Sequence, residues 1–173
     1  EEIAAAATIM RDFASSVNID TYPLVDTCGT GGDGSHTFNI STAAAVVVAA
    51  CGGHVAKHGN RAASGSSGSA DVLETAGAKI DLSTKQIAEC INSVGIGFMF
   101  APSHHGATRF AGKVRKQIGA RTLFNILGPM TNPAGADRQV MGVFEKSWIK
   151  SVAKVLSKLG TKHGLVVCSD DGM

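Results

Sequence analysis

Two short stretches combine glycine with polar side chains in a way that suits a phosphorylated ligand. The first, Gly29-Thr-Gly-Gly-Asp33, follows a short apolar run and is followed by Asn39, Ser41 and Thr42. Glycines let backbone N–H groups converge on an anion. Polar residues at a helix N-terminus lie where the helix dipole favours negative charge. The first stretch therefore predicts a phosphate site, and a tight turn with an ordinary helix cap is the alternative.

The second stretch begins as Lys57-His-Gly-Asn-Arg61 and continues in a run rich in serine and glycine, residues 62–71. It follows a predicted strand at Val55-Ala56, and in open α/β sheets ligands bind beyond the carboxyl ends of the strands. A lysine ammonium supplies a point charge for a phosphate, and the Ser/Gly run supplies flexible donors. The alternative, for this stretch taken alone, is a solvated surface loop.

Other motifs that these residues suggest lack the surroundings they need. Three glycines of the first stretch satisfy G-x-G-x-x-G, but a dinucleotide site needs a helix that opens directly there and an acid about 20 residues later. Gly53-His54 stands near that later position, and the chain contains no P-loop sequence. A predicted strand separates His54 from His58, which puts them on no common helical face, so a zinc site is not predicted.

Helical and extended patterns alternate along the chain, which predicts an α/β fold with a mostly parallel sheet and flanking helices. One helix is expected to begin at a cap formed by Ser41 or Thr42, and another at a cap formed by Ser69. Ser83-Thr-Lys-Gln86 predicts a capping box. The predicted helices are 2–16, 41–51, 69–77, 83–94, 104–118 and 146–159, and the predicted strands are 24–25, 55–56, 98–100, 140–144 and 165–168.

Composition and charge exclude several classes of protein. The chain has 173 residues, a net charge of +2 and 5% aromatic residues, which is a poor match to a nucleic-acid binder. The longest apolar run, Ala43–Cys51, is too short to span a bilayer, so no membrane partner is expected. The four cysteines are widely spaced, which is typical of reduced thiols in a cytoplasmic protein.

The two glycine stretches together resemble the anthranilate phosphoribosyltransferase family of tryptophan biosynthesis. Gly29–Asp33 is similar to the family's G-T-G-G-D loop, Asn39–Thr42 to its N-x-S-T segment and Lys57–Arg61 to its K-H-G-N-R segment. The run Arg121–Pro133 is similar to the family's R-T-x-F-N-x-L-G-P-x-x-N-P, which is far more specific than a glycine loop. The resemblance covers essentially the whole chain, including the block Ser67–Glu74.

The resemblance implies a fold of the nucleoside phosphorylase and phosphoribosyltransferase type, and a pentosyltransferase reaction. The family transfers the phosphoribosyl group of phosphoribosyl pyrophosphate (PRPP) to anthranilate, giving N-(5-phosphoribosyl)anthranilate and pyrophosphate. The transition state is expected to resemble an oxocarbenium ion, and catalysis to consist mainly of neutralising charge on the departing pyrophosphate. The acceptor is already a neutral amine, so no acid or base residue is assigned.

The resemblance also implies roles for individual residues. Ser41 is expected to be a ligand of Mg²⁺, the expected cofactor. Arg115 is expected to anchor the carboxylate of anthranilate, since a guanidinium can pair with it in a bidentate way. The residues expected to bind the donor are Gly29, Gly32, Asp33, Thr37, Asn39, Ser41, Thr42, Lys57, Ser64, Gly65, Ser66, Ser67 and Gly68. The residues expected to bind the acceptor are His58, Asn60, Pro102, His105, Arg115 and Pro129.

Members of the family are longer, so the chain is expected to be truncated at both ends. Residues 1–20 are expected to be the remnant of a small helical N-terminal domain, part of which recurs around 100–120, and residues 21–173 an incomplete α/β phosphoribosyl-binding domain. In the family an Asp-Glu pair that binds Mg²⁺ follows a turn like Asp171-Gly-Met173, where the chain stops. The resemblance further implies a homodimer.

The chain departs from the family's pattern at two places, and two other functions stay open. Ser66 stands where members often carry Lys or Arg, and His105-Gly-Ala-Thr108 stands where members often read His-Pro-Ala-Met. The contacts to pyrophosphate and part of the acceptor channel are therefore expected to differ from those of the family.

A pyrimidine-nucleoside phosphorylase shares a K-H-G-N-R-like block but needs a K-x-S-T-G-G-like first loop. A catalytically silent relative would only bind phosphorylated ligands or partners, without turnover.

Overall fold

The central feature of the fold is a parallel sheet. A computed structural model describes residues 1–31, 37–62 and 67–170, and five strands in these residues form the sheet in the order β3-β2-β1-β4-β5. The chain leaves β1 toward β2 on one side and later adds β4 on the other, which makes β1 and β4 a topological switch point. The strands are β1 Leu24–Gly29, β2 His54–Gly59, β3 Ile96–Phe100, β4 Arg138–Gly142 and β5 His163–Val167.

Helices connect these strands, as the alternating sequence pattern predicts. The α-helices of the described residues are α1 Glu2–Asp12, α2 Ile40–Ala50, α3 Ser69–Thr75, α4 Thr84–Val94, α5 Ala101–His104, α6 Arg109–Ile118, α7 Phe124–Leu127 and α8 Ile149–Lys158. Single 3₁₀ turns at Gly106–Thr108, Gly128–Met130 and Lys146–Trp148 join some of them. The predicted α/β class with a parallel sheet and flanking helices is confirmed.

The two faces of the sheet have different coverings. Side chains alternate along a strand, and the register aligns Val25 of β1 with Val55 of β2. Leu24 and Ala56 therefore share one face, where they pack in a core cluster with Ile87 of α4, and α8 packs farther along the same face. The opposite face carries Lys57 and is covered by α2 and α3 over β1 and β2.

The N-terminal helix is attached to the α/β unit by packing and by one guanidinium. Ala7 of α1 is buried in the cluster that contains α7 and α8. Arg11 donates to the backbone oxygen of Met130 at 2.8 Å and to that of Leu159 at 3.2 Å. Among the described residues no helix is long and apolar enough to cross a membrane.

Two predicted helix caps are wrong. Helix α2 begins at Ile40 and its cap is Asn39, whose Oδ1 accepts a hydrogen bond from the backbone N–H of Thr42 at 3.0 Å. Helix α3 follows Gly68, where the Asp71 carboxylate accepts from the Gly68 N–H at 2.8 Å. In both cases a neighbouring side chain, Asn39 or Asp71, accepts from a backbone N–H at the start of the helix, in place of the predicted serine or threonine hydroxyl. The capping box at Ser83 and Gln86 is confirmed.

The predicted helix over 104–118 is interrupted, and two predicted strands are too short. Helix α5 ends at His104, and a 3₁₀ turn from Gly106 separates it from α6. Strands β1 and β2 continue through the polar residues Asp26-Thr27 and Lys57-His58, although the sequence predicted loops from Thr27 and from His58. These polar residues are buried and have partners across the sheet, which sequence periodicity does not reveal.

We predict that Gly97→Ala destabilises the fold by about 1–3 kcal/mol, because the added methyl overpacks the contact between β3 and α4. A Cβ at this position would lie 2.8 Å from the Ile87 backbone oxygen and 2.8 Å from Ile91 Cγ1. The matched control is Gly164→Ala in β5, whose Cβ would meet its nearest neighbour, Thr161 Cγ2, at 3.5 Å. Urea unfolding of both variants measures the difference, and equal losses of stability would contradict the close packing of α4.

Candidate functional site

The candidate site lies at the carboxyl ends of β1 and β2, beside the switch point. Gly29 and Gly59 end these two strands, and α2 begins nearby at Ile40. Lys57 and His58, adjacent in β2, point to opposite faces of the sheet and are 1% and 5% exposed. The polar residues that the sequence singled out thus divide into two groups, one on each face.

Lys57 belongs to the group on the α2 face. Its Nζ donates to the backbone oxygen of Thr27 at 2.6 Å and to Ser41 Oγ at 3.2 Å. Burial lowers the pKa of Lys57, and the negative charge of Asp26 opposes this shift. The ammonium links the end of β1 to the first turn of α2, and so helps to hold these two elements of the site in position.

The first turn of α2 is held in place by a short chain of hydrogen bonds. Asn39 Oδ1 accepts from Ser41 Oγ at 3.1 Å, and Thr27 Oγ1 donates to the Ser41 backbone oxygen at 2.8 Å. The Thr42 hydroxyl is buried and has no hydrogen-bond partner among the described residues. An unpaired hydroxyl at a helix N-terminus is suited to an anionic oxygen.

Asp71 holds the two ends of the second glycine stretch together. Its Oδ2 accepts from the N–H of Ala62 at 3.0 Å and from that of Gly68 at 2.8 Å, and these bonds lower its pKa. A Cβ on Gly68 would lie 2.3 Å from the Ala62 nitrogen, so only glycine fits this neck. Arg61 pairs with Asp71 at 3.1 Å and also with Glu74.

On the opposite face of the sheet, Asp26 is 0% exposed and lies in a polar network. Its Oδ1 accepts from the His58 backbone N–H at 3.2 Å, and its Oδ2 accepts from Asn132 Nδ2 at 2.9 Å and from Gln139 Nε2 at 3.5 Å. Burial raises the pKa of Asp26, while the charge of Lys57 and these hydrogen bonds oppose the rise. The network links β1, β2 and β4 with the segment before β4.

Two imidazoles lie next to this network. The rings of His58 and His105 are 5.1 Å apart and tilted by 58°. Burial, together with His105, lowers the pKa of His58 to about 3, so its ring is neutral at pH 7. The ring forms a hydrogen bond with the Gly128 backbone, while Nε2 is buried without a partner among the described residues. A buried, unpaired ring nitrogen is a ready acceptor for an N–H group of a ligand.

The second histidine also has its partners in this region. His105 Nε2 lies 3.5 Å from Thr131 Oγ1, and burial lowers the pKa of His105. The neighbouring His104 has its Nδ1 2.7 Å from the Ser15 backbone oxygen, which anchors the segment after α1. His105 is thus held between His58 and the Thr131 hydroxyl.

Arg115 lies on α6, half-buried, with its guanidinium carbon 5.1 Å from the centre of the Phe124 ring. Within the described part of the chain no carboxylate forms an ion pair with it, in contrast to Arg61 and Arg138. A guanidinium that is stacked on a ring keeps its in-plane N–H groups available for an anion.

The structure brings together a part of the predicted donor site. Asn39, Ser41, Thr42 and Lys57 meet at the start of α2. Gly29 ends β1, Thr37 precedes the α2 cap, and Ser67 and Gly68 lie directly before α3. Five predicted donor residues lie outside the described residues, as does the turn at 171–173: Gly32, Asp33, Ser64, Gly65 and Ser66.

The predicted acceptor residues are spread over more elements. His58 contacts His105, and the Pro129 backbone oxygen accepts from Gln139 Nε2 at 2.6 Å. Asn60 follows β2 and accepts from the Arg61 N–H through its Oδ1 at 2.7 Å. Pro102 is exposed on α5, and Arg115 lies on α6. Of the predicted acceptor residues, the structure therefore brings His58 and His105 into direct contact.

Sequence reasoning missed the residues that support the site from behind. Asp26, Asn132 and Gln139 form the buried network, and Asp71 closes the second loop. One signal was present: an acid inside the apolar run Leu24-Val-Asp-Thr-Cys28 has to be compensated if the run is a buried strand.

Among the described residues, one predicted ligand is available to Mg²⁺, the Ser41 hydroxyl. They contain no group of three or more His, Cys, Asp or Glu side chains that could hold a metal ion. Ser41 Oγ donates to Asn39 and accepts from Lys57, which leaves one lone pair free. Mg²⁺ often takes few protein ligands and completes its shell with water and substrate phosphates, so one hydroxyl is compatible with it.

A protein-family model matches most of the chain. Residues 21–173 fit the family described as "Glycosyl transferase family, a/b domain". The chain belongs to this glycosyl transferase family. The parallel sheet with its flanking helices is thus the α/β domain of a glycosyl transferase family member.

Individual relatives of this glycosyl transferase chain carry a more specific name. It is 59% identical over 173 residues to the anthranilate phosphoribosyltransferase of Thioalkalivibrio sulfidiphilus, covering 100% of the chain and 51% of that protein. The solved structure of the Thermus thermophilus enzyme of that name matches with a TM-score of 0.89 and 48% identity, covering 94% of this chain and 51% of that one. The resemblance found in the sequence is confirmed.

A third match is a solved complex. Anthranilate phosphoribosyltransferase from Saccharomyces cerevisiae in complex with PRPP and Mg matches with a TM-score of 0.90 and 30% identity, covering 98% of this chain and 48% of that one. The glycosyl transferase chain therefore spans about half the length of the relatives it matches.

We predict that His58 makes the stability of the fold sensitive to acid. The pKa of His58 is about 3 in the fold against 6.5 ordinarily, so below pH 6.5 the unfolded chain takes up a proton that the folded chain does not. Stability is therefore lost progressively as the pH falls from 6.5 toward 3. Between pH 6.5 and pH 5 the loss due to this group is about 2 kcal/mol.

The measurement is urea unfolding at pH 6.5 and pH 5 for the unchanged chain and for His58→Gln. The glutamine variant is expected to lose less stability over this interval, because it lacks the titrating ring. Parallel losses in the two proteins would show that the ring of His58 is not held neutral.

Proposed function

We propose that the chain forms part of an anthranilate phosphoribosyltransferase and carries residues for both substrates; this enzyme transfers the phosphoribosyl group of PRPP to anthranilate and releases pyrophosphate. The observation that carries this proposal is the division of the site by strand β2. Lys57 faces the polar start of α2, and the next residue, His58, faces an imidazole pair with an unpaired nitrogen. A phosphorylated donor and an aromatic amine need these two environments side by side.

The donor side is supported by the chemistry at the start of α2. The unpaired Thr42 hydroxyl lies at a helix N-terminus, where an anion is favoured. Lys57 brings positive charge to the same turn and positions the Ser41 hydroxyl. Asp71 keeps the ends of the second glycine stretch together, and Ser67 and Gly68 lie at its neck. We assign all these residues to the donor.

The acceptor side is supported by the unpaired Nε2 of His58. A neutral ring nitrogen accepts a hydrogen bond from the amine of anthranilate and so directs the nitrogen lone pair toward the sugar. His105 and Pro129 lie in the same region, and we assign them, with Asn60 and Pro102, to the acceptor. Because the amine is a neutral nucleophile, correct placement supplies much of the rate, without a dedicated base.

The proposed reaction also requires that the negative charge on the departing pyrophosphate be neutralised. Mg²⁺ bound to pyrophosphate, with the Ser41 hydroxyl as one ligand, would neutralise the charge that grows as the C1–O bond breaks. Ser41 is suited to this role because Asn39 and Lys57 fix its hydroxyl from two sides.

The organisation of the whole protein is part of the proposal. We assign residues 1–20, and part of 100–120, to a helical domain through which two copies form a homodimer in the cytoplasm. Exposed apolar side chains in both segments support this assignment, namely Ile9 on α1, Phe13 directly after α1, and Phe110 and Val114 on α6.

The experiment is an assay of the whole protein with PRPP, Mg²⁺ and anthranilate, in which turnover is followed by the fluorescence of anthranilate. Consumption of anthranilate that depends on PRPP supports the proposal. Phosphate-dependent cleavage of pyrimidine nucleosides would replace it with a nucleoside phosphorylase. Binding of PRPP in calorimetry without turnover would replace it with a catalytically silent relative.

We predict that Arg115→Ala in the whole protein raises the KM for anthranilate by about 10- to 100-fold and leaves the KM for PRPP within about twofold. The physical reason is the loss of a charge-assisted pair with the acceptor carboxylate, worth about 1.5–3 kcal/mol. The matched control is Arg109→Ala on the same helix, whose guanidinium stacks on Phe110 at 4.8 Å and is exposed. Equal changes in both KM values, or an equal effect of the control, would contradict the role of Arg115.

A further inference from the structure

Asp26 is a buried acid for which the proposed reaction has no direct use. It is 0% exposed and lies on β1, on the face that carries His58. A carboxylate that is taken out of water is costly unless hydrogen bonds and an opposite charge compensate it. The groups that form hydrogen bonds with the Asp26 carboxylate therefore indicate its role.

Every hydrogen-bond partner that the described residues offer to the Asp26 carboxylate is a donor. They are the His58 backbone N–H at 3.2 Å, Asn132 Nδ2 at 2.9 Å and Gln139 Nε2 at 3.5 Å. Only a group with two accepting oxygens satisfies donors on both sides. An amide in the same place would turn an N–H toward one of these donors.

The side chains that donate hydrogen bonds to Asp26 also hold the segment that carries Pro129. Gln139 Nε2 also donates to the Pro129 backbone oxygen at 2.6 Å, and Asn132 Nδ2 also donates to the Ala56 backbone oxygen at 2.8 Å. Thr131 lies between these two anchor points, and its Oγ1 is 3.5 Å from His105 Nε2. One carboxylate thus connects β2, β4 and residues 129–132.

We propose that Asp26 is a positioning residue for the aromatic acceptor. Its carboxylate fixes the separation between His58, held through its backbone N–H, and Pro129, held through Gln139. The inference rests on the proposed function, since it requires that anthranilate bind beside these two residues. Asp26 touches no substrate, and its effect reaches the acceptor only through the residues that it holds.

This arrangement gives Asp26 a signature that a general contribution to folding would not have. The donor-side contacts of Lys57 and Ser41 lie on the other face of the sheet and share no hydrogen bond with the carboxylate. A change at Asp26 is expected to displace the acceptor and to leave the donor in place. A misplacement of about 1 Å can cost about 100-fold in rate.

The test is Asp26→Asn in the whole protein, assayed against both substrates. The substitution keeps the shape and places an N–H against His58, Asn132 or Gln139. We expect kcat/KM for anthranilate to fall by about 10- to 100-fold and the KM for PRPP to stay within about twofold. Gln139→Met removes the amide that donates to Asp26, Cys28 and Pro129, and leaves the bonds of Asp26 to His58 and Asn132 in place. It is expected to act in the same direction, and it tests the proposal if Asp26→Asn does not fold.

The control for lost stability is Ser83→Ala, which removes the cap of α4 and costs about 1 kcal/mol without touching the network. It is expected to leave both KM values unchanged. Unchanged anthranilate kinetics in folded Asp26→Asn or Gln139→Met, or equal changes for both substrates, would overturn the positioning role alone. Absence of turnover in the unchanged protein would instead reject the proposed function, and the positioning role with it.

Discussion

The architecture of the site depends on two opposite charges buried in neighbouring strands. Asp26 of β1 and Lys57 of β2 are both removed from water, and each opposes the pKa shift that burial imposes on the other. Burying either charge without the other is costly in free energy of unfolding. Their side chains leave the sheet on opposite faces, so each charge has its own hydrogen-bond partners: Lys57 contacts Ser41 on one face, and Asp26 contacts the His58 backbone on the other.

The topology explains why this pair lies where ligands can reach it. Strand β1 stands at the centre of the sheet, between β2 and β4, and the connections on its two sides diverge at its carboxyl end. The first glycine stretch and α2 leave from this end, and the segment that carries Pro129 enters beside β4. Under the proposed function a phosphorylated donor and an aromatic amine have to meet at one carbon atom, and the two faces beside the switch point offer a different environment for each.

The sequence predicted the local features of the molecule and missed those that depend on contacts across the sheet. The parallel α/β class and the capping box at Ser83 follow from patterns within a few residues, and both are confirmed. The caps of α2 and α3 were wrong because nearby side chains compete for the same N–H groups. The role of Asn132 depends on a partner more than one hundred positions away in the chain, and no local pattern shows it. The assigned roles of the site residues remain predictions.

The most direct test of the buried pair is a double-mutant cycle with Asp26→Asn and Lys57→Met, in which urea unfolding gives the free energy of unfolding of the four proteins. Each single change leaves one buried charge without its counterpart, whereas the double change removes both charges. We predict that the double variant is more stable than the sum of the single effects implies, by about 0.5–3 kcal/mol. Additive effects, within about 0.3 kcal/mol, would contradict the claim that the two buried charges compensate each other.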